Sequence, residues 1–543
     1  MTVNAPSTDT FVPRPRADIE ADIQTALSVS ANDRFIVRHV ARDEPFYYLG
    51  DTAWELFHRL DLAEAELFLR NRAQKGFNSI MVVLFAEHGG LDFPNRAGEW
   101  PFHPAPESKP GAYVPDLMRP NPRYYDFVDQ VVALASSLDM TISLVPTWGR
   151  YVNGGYYGSP ILFNEENARA FGRFVGERYP FHPFILGGDS NRLWNPDFEK
   201  TLKSGGDIFK LPVIDFGAIT EAMAQGLLEG EAAGIAALDA QLKAQASDYK
   251  TFITFHSAQV WLPEGTETSA STQFPDAEWL SFDCVQTGHH DGPKPGLDKA
   301  ASELMASSLW HSKSSYDPIR KMYAARRRDG RPRPVLDLEA HYESTHQWFD
   351  YAFPLWNADD IRNGMWQGLF AGACGYTYGV NSIWQMHNAS SATHPPIQPP
   401  TNASVDWYLE LDLPGAFYSS VAKSVLLSLP GYFSRIPDQT FITSDTHEQA
   451  GKKAGDALVS GMRADGWAAV HLPYGGDVEV DLTKAIPGAS SWKAWWVDPR
   501  SGGREVFITG DKLGQHTFSA PSAGSLTDDW ILLVSVDPYP LSA

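Results

Sequence analysis

Short apolar runs alternate with helix-like stretches along most of this 543-residue chain, and that alternation limits the fold more than any other feature. Eight runs read as strands: 47–54, 79–85 (SIMVVLF), 141–148 (TISLVPTW), 184–189 (FILGGD), 251–257 (TFITFHS), 281–289 (SFDCVQTGH), 334–339 (PVLDLE) and 375–384 (GYTYGVNSIW). Helical patterning falls between them at 61–75, 124–138, 164–179, 214–246, 299–328 and 359–373. In 61–75, Leu62, Ala65, Leu67, Leu69 and Ala73 are the apolar positions of a helix and Gly76 stops the run. Strands this apolar belong in a parallel sheet covered by helices on both faces. Eight such units in series predict an α/β fold, a (β/α)8 TIM barrel with insertions. An open doubly wound sheet is the alternative, and the glycine fingerprint of a dinucleotide fold is missing.

After residue 435 the texture changes. Short strand-like runs are separated by the turn clusters PYGGD, PRSGG and TGD, the pattern of a small antiparallel β-sandwich. The predicted division is a polar, loosely packed N-terminal arm over 1–34, a catalytic barrel over 35–435 and a C-terminal β-sandwich over 436–543.

Composition narrows the function classes. There are 44 Lys plus Arg against 66 Asp plus Glu, a formal net charge of −22. This argues against a nucleic-acid binder and against a surface for anionic lipid. No run approaches the ~18 apolar residues of a membrane-spanning helix. The N-terminus has no apolar signal region, so the expected location is cytoplasmic, or secreted if a signal has been removed. Two cysteines, Cys284 and Cys374, exclude a disulfide framework, and Cys284 inside an apolar strand reads as a packed thiol. P-loop, zincin and nucleophile-elbow motifs are absent, and no cofactor is expected. Oligomeric state is not legible.

In a barrel of this kind, chemistry sits at the C-terminal ends of the strands. Those ends carry Asp51 and Trp54, Glu87-His88, Trp148, Asp189 and Asn191, His256, Gln286 and His289, Glu339 with Tyr342, and Asn381 with Trp384. Acids, histidines and tryptophans at most strand ends suggest a polar pocket with aromatic walls, as carbohydrate sites have. Asp189, after two glycines, and Glu339, ending an apolar strand, are the candidate catalytic pair. A buried lone carboxylate is costly and needs a partner or a raised pKa. Glycoside hydrolysis uses one carboxyl as acid and another as nucleophile or base. The structural alternative is an internal ion pair, for instance with Arg192. A metal site built from Asp337, Glu339, His341 and Glu343 with His256 and His289 is a further alternative, weakened because no H-x-H pair ends the first strand.

The ordered set GDTAW (50–54), GGD (187–189), His256 with WLSFD (279–283), QTGH (286–289), PVLDLEAHYE (334–343) and YGVNSIW (378–384) resembles the apiosidase-like glycoside hydrolases, glycoside hydrolase family 140 and relatives. WWVDPRSGG (495–503) and DDWILL (528–533) resemble the β-sandwich that commonly accompanies them, a module carrying a collagen-binding name. The resemblance covers about residues 35–540 and implies a retaining barrel enzyme, with Asp189 as acid/base and Glu339 as nucleophile. The family often has a Gly-Glu-Pro-like context at the nucleophile, whereas Leu338-Glu339-Ala340 stands here, and the 192–251 segment is long; the sugar therefore does not transfer. The partner class implied is a carbohydrate, a terminal sugar of a plant or microbial glycan or glycoside. Asp51, Asn191, Gln286, His256, His289, Tyr342 and Asn381 would hydrogen-bond its hydroxyls. Trp54, Trp148 and Trp384 would stack on the ring. A non-catalytic carbohydrate-binding barrel and a metal-dependent hydrolase are the competing classes.

Overall fold

A computed structural model describes residues 10–206, 210–258, 269–288, 316–397, 401, 403–446, 448–449, 452–453 and 457–536. Eight parallel strands carry the site: β1 (Tyr48–Thr52), β2 (Ser79–Phe85), β3 (Thr141–Thr147), β4 (Phe184–Gly187), β5 (Ile253–His256), β6 (Asp283–Gln286), β7 (Val335–Glu339) and β8 (Gly375–Tyr378). Six of them form one curled parallel sheet in the order β5-β4-β3-β2-β1-β8, and β6 pairs with β7. Ser281 and Gln286 N–H donate to the Ile253 and Ser257 carbonyls at 2.8 and 3.3 Å, and Cys374 N–H to the Val335 carbonyl at 3.0 Å, so isolated bonds run from the pair to each end of the sheet. All seven residues of β2, and all seven of β3, are buried, as strands covered on both faces must be.

Helices α1 (Arg16–Thr25), α2 (Leu62–Gln74), α3 (Pro122–Ser137), α4 (Glu165–Arg178), α5 (Gly217–Ala237), α6 (Tyr316–Ala324), α7 (Ala358–Ala371) and α8 (Pro414–Ser428) accompany the strands. Local sequence sets several of their starts. Asp61 with Glu64 and Asn357 with Asp360 form capping boxes, and Asn121 caps α3 ahead of a proline at its first position.

Three sequence expectations change. The N-terminal arm is packed from α1 onward: Ile23 is fully buried, and the buried Asp22 meets Arg14 at 2.7 Å and His182 at 3.3 Å. The long 214–246 helix breaks after Ala237, where Asp239 caps a second, short helix (Ala240–Gln245). The last predicted strand stops at Tyr378, and Asn381–Trp384 is a single helical turn. The 299–328 helix falls partly outside the described residues; its described part is α6.

The C-terminal region holds β9 (Ile436–Pro437), β10 (Ser460–Ala464), β11 (Trp467–Leu472), β12 (Gly475–Asp481), β13 (Trp492–Val497), β14 (Arg504–Gly510), β15 (Gln515–Ala523) and β16 (Trp530–Val536). They make a six-stranded antiparallel sheet ordered β9-β10-β11-β16-β13-β14 and a β12-β15 pair. Val478, Val480 and Phe518 of the pair share one apolar core with Val470, Trp496 and Leu532 of the sheet. This sandwich is bound to α7. Arg362, fully buried, donates to both carboxylate oxygens of Asp529 (2.7 and 2.8 Å), to Asp359 (2.7 Å) and to the Leu526 carbonyl (2.9 Å).

Candidate active site

The turn after β4 is set by its backbone. Gly187, Gly188 and Asp189 all have positive φ, at 76°, 116° and 44°. A Cβ on Gly188 would lie 2.3 Å from the Trp148 ring, so the chain passes against the indole only because no side chain is there. Asp189 follows, half-buried, in the left-handed region that aspartate tolerates better than most residues.

Glu339 ends β7 and is 5% exposed. Asp337 braces it: that carboxylate accepts from the Thr287 hydroxyl at 2.5 Å and from the Glu339 N–H at 3.3 Å. Gly288 N–H holds the Glu339 carbonyl at 3.0 Å. The Gln286 amide nitrogen donates to Glu339 Oε1 at 2.6 Å and reaches Asp189 Oδ1 at 3.4 Å. His256 Nε2 lies 3.4 Å from the other Glu339 oxygen. Burial is the main cause that pushes the Glu339 carboxyl up to about 8; the charges of Asp337 and Glu87 add to it, while hydrogen bonds from Gln286 and Tyr342 oppose it.

Aromatic rings wall this pair. Trp54 and Trp148 sit with ring centroids 4.6 Å apart, and the His256 ring is 5.1 Å from Trp148. The Trp54 indole donates to the Tyr342 hydroxyl at 3.2 Å. Trp384, on the turn after β8, donates to Asn381 Oδ1 at 3.2 Å and faces the His88 ring at 5.4 Å. His256 is fully buried, so in this geometry it holds Glu339 and does not reach into the cleft.

Other predicted sugar contacts go elsewhere. Asp51 is fully buried and accepts from Arg72 Nε at 2.5 Å, in an ion pair beneath the site. Asn191 is fully buried and donates to the Ala258 carbonyl at 3.0 Å, joining the loops after β4 and β5. His289 lies outside the described residues. Arg192, considered as a partner for Asp189, instead forks onto Asp215 at 2.9 and 2.8 Å. The residues weighed as metal ligands are separately engaged: Asp337 by Thr287, His341 by the Gly288 carbonyl (2.5 Å) and by stacking on Trp356, and Glu343 by the Tyr378 hydroxyl (2.5 Å). Among the described residues, no group of three or more His, Cys, Asp or Glu is arranged to hold a metal ion.

Two residues at the site were not singled out as ligands. Glu87, two residues beyond β2, is buried, and burial together with the charge of Asp189 pushes its carboxyl up to about 7. Its place just past an apolar strand was the available signal. Tyr156, in the loop after β3, feels both acids: burial first, then Asp189 and Glu339, push its phenol up. Its ring packs edge-on against Trp194 and Phe198, at 5.9 and 5.7 Å, and the sequence YVNGGYYG gives no sign of those partners.

A family model described as "Apiosidase-like, catalytic domain" matches residues 30–432. The chain belongs to the apiosidase-like family. A second model, "Putative collagen-binding domain of a collagenase", matches residues 436–535. A search of curated proteins finds no match. Among solved structures, one titled "Glycoside hydrolase" is 24% identical with a TM-score of 0.71, covering 95% of this chain and 98% of its own. A glycoside hydrolase family 5 structure from Bacteroides vulgatus ATCC 8482 is 22% identical with a TM-score of 0.70, covering 95% of each chain. These likenesses fit a TIM-like fold for the apiosidase-like region, in keeping with its curled parallel sheet, and family and fold together support glycoside hydrolase activity. No described helix is long and apolar enough to cross a membrane.

Proposed function

We propose that this apiosidase-like chain is a retaining glycoside hydrolase, with Glu339 as nucleophile and Asp189 as acid/base, working in a closed (β/α)8 barrel over residues 35–435. The observation that carries the reading is the Gln286 amide. Contacts of 3.4 and 2.6 Å through one nitrogen cap the distance between Asp189 Oδ1 and Glu339 Oε1 at 6.0 Å. Inverting pairs stand about 6.5–9.5 Å apart and retaining pairs about 5–5.5 Å. In the first step Glu339 attacks the anomeric carbon while Asp189 protonates the departing oxygen. In the second, Asp189 takes a proton from water, and that water displaces Glu339. Gln286 and His256 orient Glu339, and Trp54, Trp148 and Trp384 form the apolar walls for the sugar ring. The substrate class is a terminal sugar of a plant or microbial glycan or glycoside.

One observation favours exchanged roles: burial holds the Glu339 proton up to about 8, as an acid would. A single experiment separates the two. Wild type is screened on aryl pentosides and hexosides, and Asp189→Asn and Glu339→Gln should each lose about 10²–10⁴-fold in turnover. Azide added to a Glu339→Gly variant should give a glycosyl azide of inverted configuration, and azide added to Asp189→Gly one of retained configuration. The opposite pattern exchanges the roles. Near-normal activity in both variants removes the pair.

A further inference from the structure

Three arginines gather at the end of β7 opposite to Glu339. Tyr323 stands in the last turn of α6, packed with Ile319 against Val285 and Val335. The chain after it runs to the start of β6, where Arg333 Nε donates to the Leu280 carbonyl at 3.3 Å. The Arg34 guanidinium lies 3.8 Å from the centre of the Tyr323 ring, and that of Arg320 lies 5.7 Å from it. Arg34 Nη1 and Arg326 Nη1 both donate to the Tyr323 carbonyl, at 2.6 and 3.0 Å, so these two nitrogens are no more than 5.6 Å apart. Arg34 comes from the turn of the hairpin Leu27–Val29/Ile36–Arg38, where Asn32 Oδ1 accepts from its N–H at 3.2 Å. The arginines further out are paired, Arg331 with Asp329 at 2.8 Å and with Asp33 at 3.5 Å, and Arg328 with Asp276 at 3.8 Å. Among the described residues no carboxylate pairs with Arg34, Arg320 or Arg326.

Capping α6 does not account for the cluster. A helix C-terminus carries about half a unit of negative charge. Arg326 alone takes three of its carbonyls, those of Tyr323, Ala324 and Ala325, at 3.0, 2.8 and 2.8 Å. Arg34 adds its charge to a carbonyl already served, and Arg320 lies a turn earlier on the helix. Burial pushes the Arg34 guanidinium below the ordinary arginine value; Tyr323 opposes that, Arg326 and Arg320 add to it, and no acid takes part. Like charges this close repel, in a chain whose formal net charge is −22 and which has carboxylates to spare. The Nε and Nη2 groups of Arg34 and Arg326 make no hydrogen bond among the described residues, so both forks keep donors free. We propose that the Arg34–Arg320–Arg326 cluster binds a small oxyanion, a free phosphate or the carboxylate of an acidic sugar. Guanidinium forks take carboxylate and phosphate through parallel N–H···O bonds. The net charge favours a small anion over a long polyanion, whose remaining charges would meet an acidic surface. The site is remote from Asp189 and Glu339 and does not depend on the glycosidase reading.

The test is scanning calorimetry of the full chain at pH 7 in sodium phosphate, sodium glucuronate or sodium chloride of equal ionic strength. For a dissociation constant of ~1 mM, about 10 mM phosphate or glucuronate should raise Tm by about 1–2 °C over chloride. Arg34→Met keeps an apolar stem on Tyr323 and removes the fork, and Arg326→Gln changes an exposed residue just past α6. The increment should vanish in both, and Arg70→Gln, an exposed arginine paired with Glu66, should keep it. A response to phosphate alone or to glucuronate alone supports the site and tells which source it takes. An increment no larger than that of chloride in wild type overturns the proposal. So does one that persists in both Arg34→Met and Arg326→Gln, since the anion would then sit elsewhere, or one that is lost equally in Arg70→Gln.

Discussion

Replacing Asp51 by asparagine tests whether the GDTAW segment touches sugar or holds the fold. The Asp51 carboxylate is fully buried, and Arg72 Nε lies 2.5 Å away. Arg72 Nη1 donates to Asn71 and to the Leu411 carbonyl, at 2.8 and 2.7 Å, and the guanidinium is ringed by Phe68, Phe77 and Tyr378. Burial outweighs the arginine and leaves the Asp51 carboxyl pKa raised, so the pair is no large net stabiliser by itself. Breaking it is a different matter, because the Asp51→Asn change would strand a buried guanidinium without a counter-charge, at a cost of about 3–5 kcal/mol. An unfolding unit of about 400 residues has an unfolding entropy near 0.8 kcal/mol/K, so this loss lowers Tm by about 4–6 °C. Scanning calorimetry at a fixed scan rate measures it. In parallel, Asp51→Leu/Arg72→Met, which removes both charges, should recover most of the loss. At temperatures where Asp51→Asn remains folded, kcat/KM should stay within about threefold of wild type, worth no more than ~0.7 kcal/mol of transition-state binding. A variant with unchanged Tm and a large loss of kcat/KM would refute the reasoning and return Asp51 to the sugar.

Gly188→Ala should lose about 100-fold or more in kcat, because its Cβ would meet the Trp148 ring and shift Asp189 or the wall. Gly98→Ala, at a similar positive φ of 83° with open space around it, is the control and should leave kcat alone. His471, fully buried on β11 with its ring 5.9 Å from Phe370 of α7, has its pKa lowered to about 3, chiefly by burial and then by Arg362. Its folded value lies below its unfolded value, so it costs nothing above pH 6.5, and stability falls as pH drops from 6.5 towards 3. By pH 4.5 the loss is about 2–3 kcal/mol, which His471→Met should not show in denaturant melts at pH 7 and pH 4.5. Asp529→Ala should destabilise the protein by about 3 kcal/mol by taking the two-oxygen counter-charge from buried Arg362 and leaving it only Asp359; an unchanged melt would mean that the sandwich is not braced through that pair.

The sheet was legible because its strands are apolar over their whole length: 79–85 is predicted and found, and 141–148 differs from the observed strand only at its last residue. That Asp189, Glu339, Gln286 and His256 come together was legible for the complementary reason, as polar residues ending apolar runs in a fold that gathers strand ends. Neither Asp51 nor Asn191 could be sorted by that rule. Their partners, Arg72 on α2 and the Ala258 carbonyl, are distant in sequence, and position at a strand end does not say which way a side chain turns. The turn at Asn381–Trp384 was mistaken for strand because its aromatic and apolar residues fit either state. The burial of α1 rests on Ile19, Ile23 and Ala26 packing against Phe181, Leu242 and Ala246, and on Asp22 meeting Arg14 and His182; most of those partners are distant in sequence, and three small or single apolar residues in a polar stretch are a weak signal.

The position of β16 has a bearing on how this chain is made. Trp530–Val536 is not an edge of the C-terminal sheet but its middle, hydrogen-bonded to β11 on one side and β13 on the other. Asp529, the counter-charge of Arg362, immediately precedes it. On the ribosome, therefore, the catalytic region is translated well before the residues that cover the Arg362 face of α7, and β11 and β13 have no strand between them until residue 536 has emerged. For that interval the nascent protein presents two open strand edges and an arginine that has only Asp359 of its own helix as counter-charge, the kind of surface that chaperones recognise. Pulse proteolysis of ribosome-stalled chains should find 460–500 sensitive when synthesis halts at residue 525, with its tunnel-buried tail released, and protected only once β16 is included.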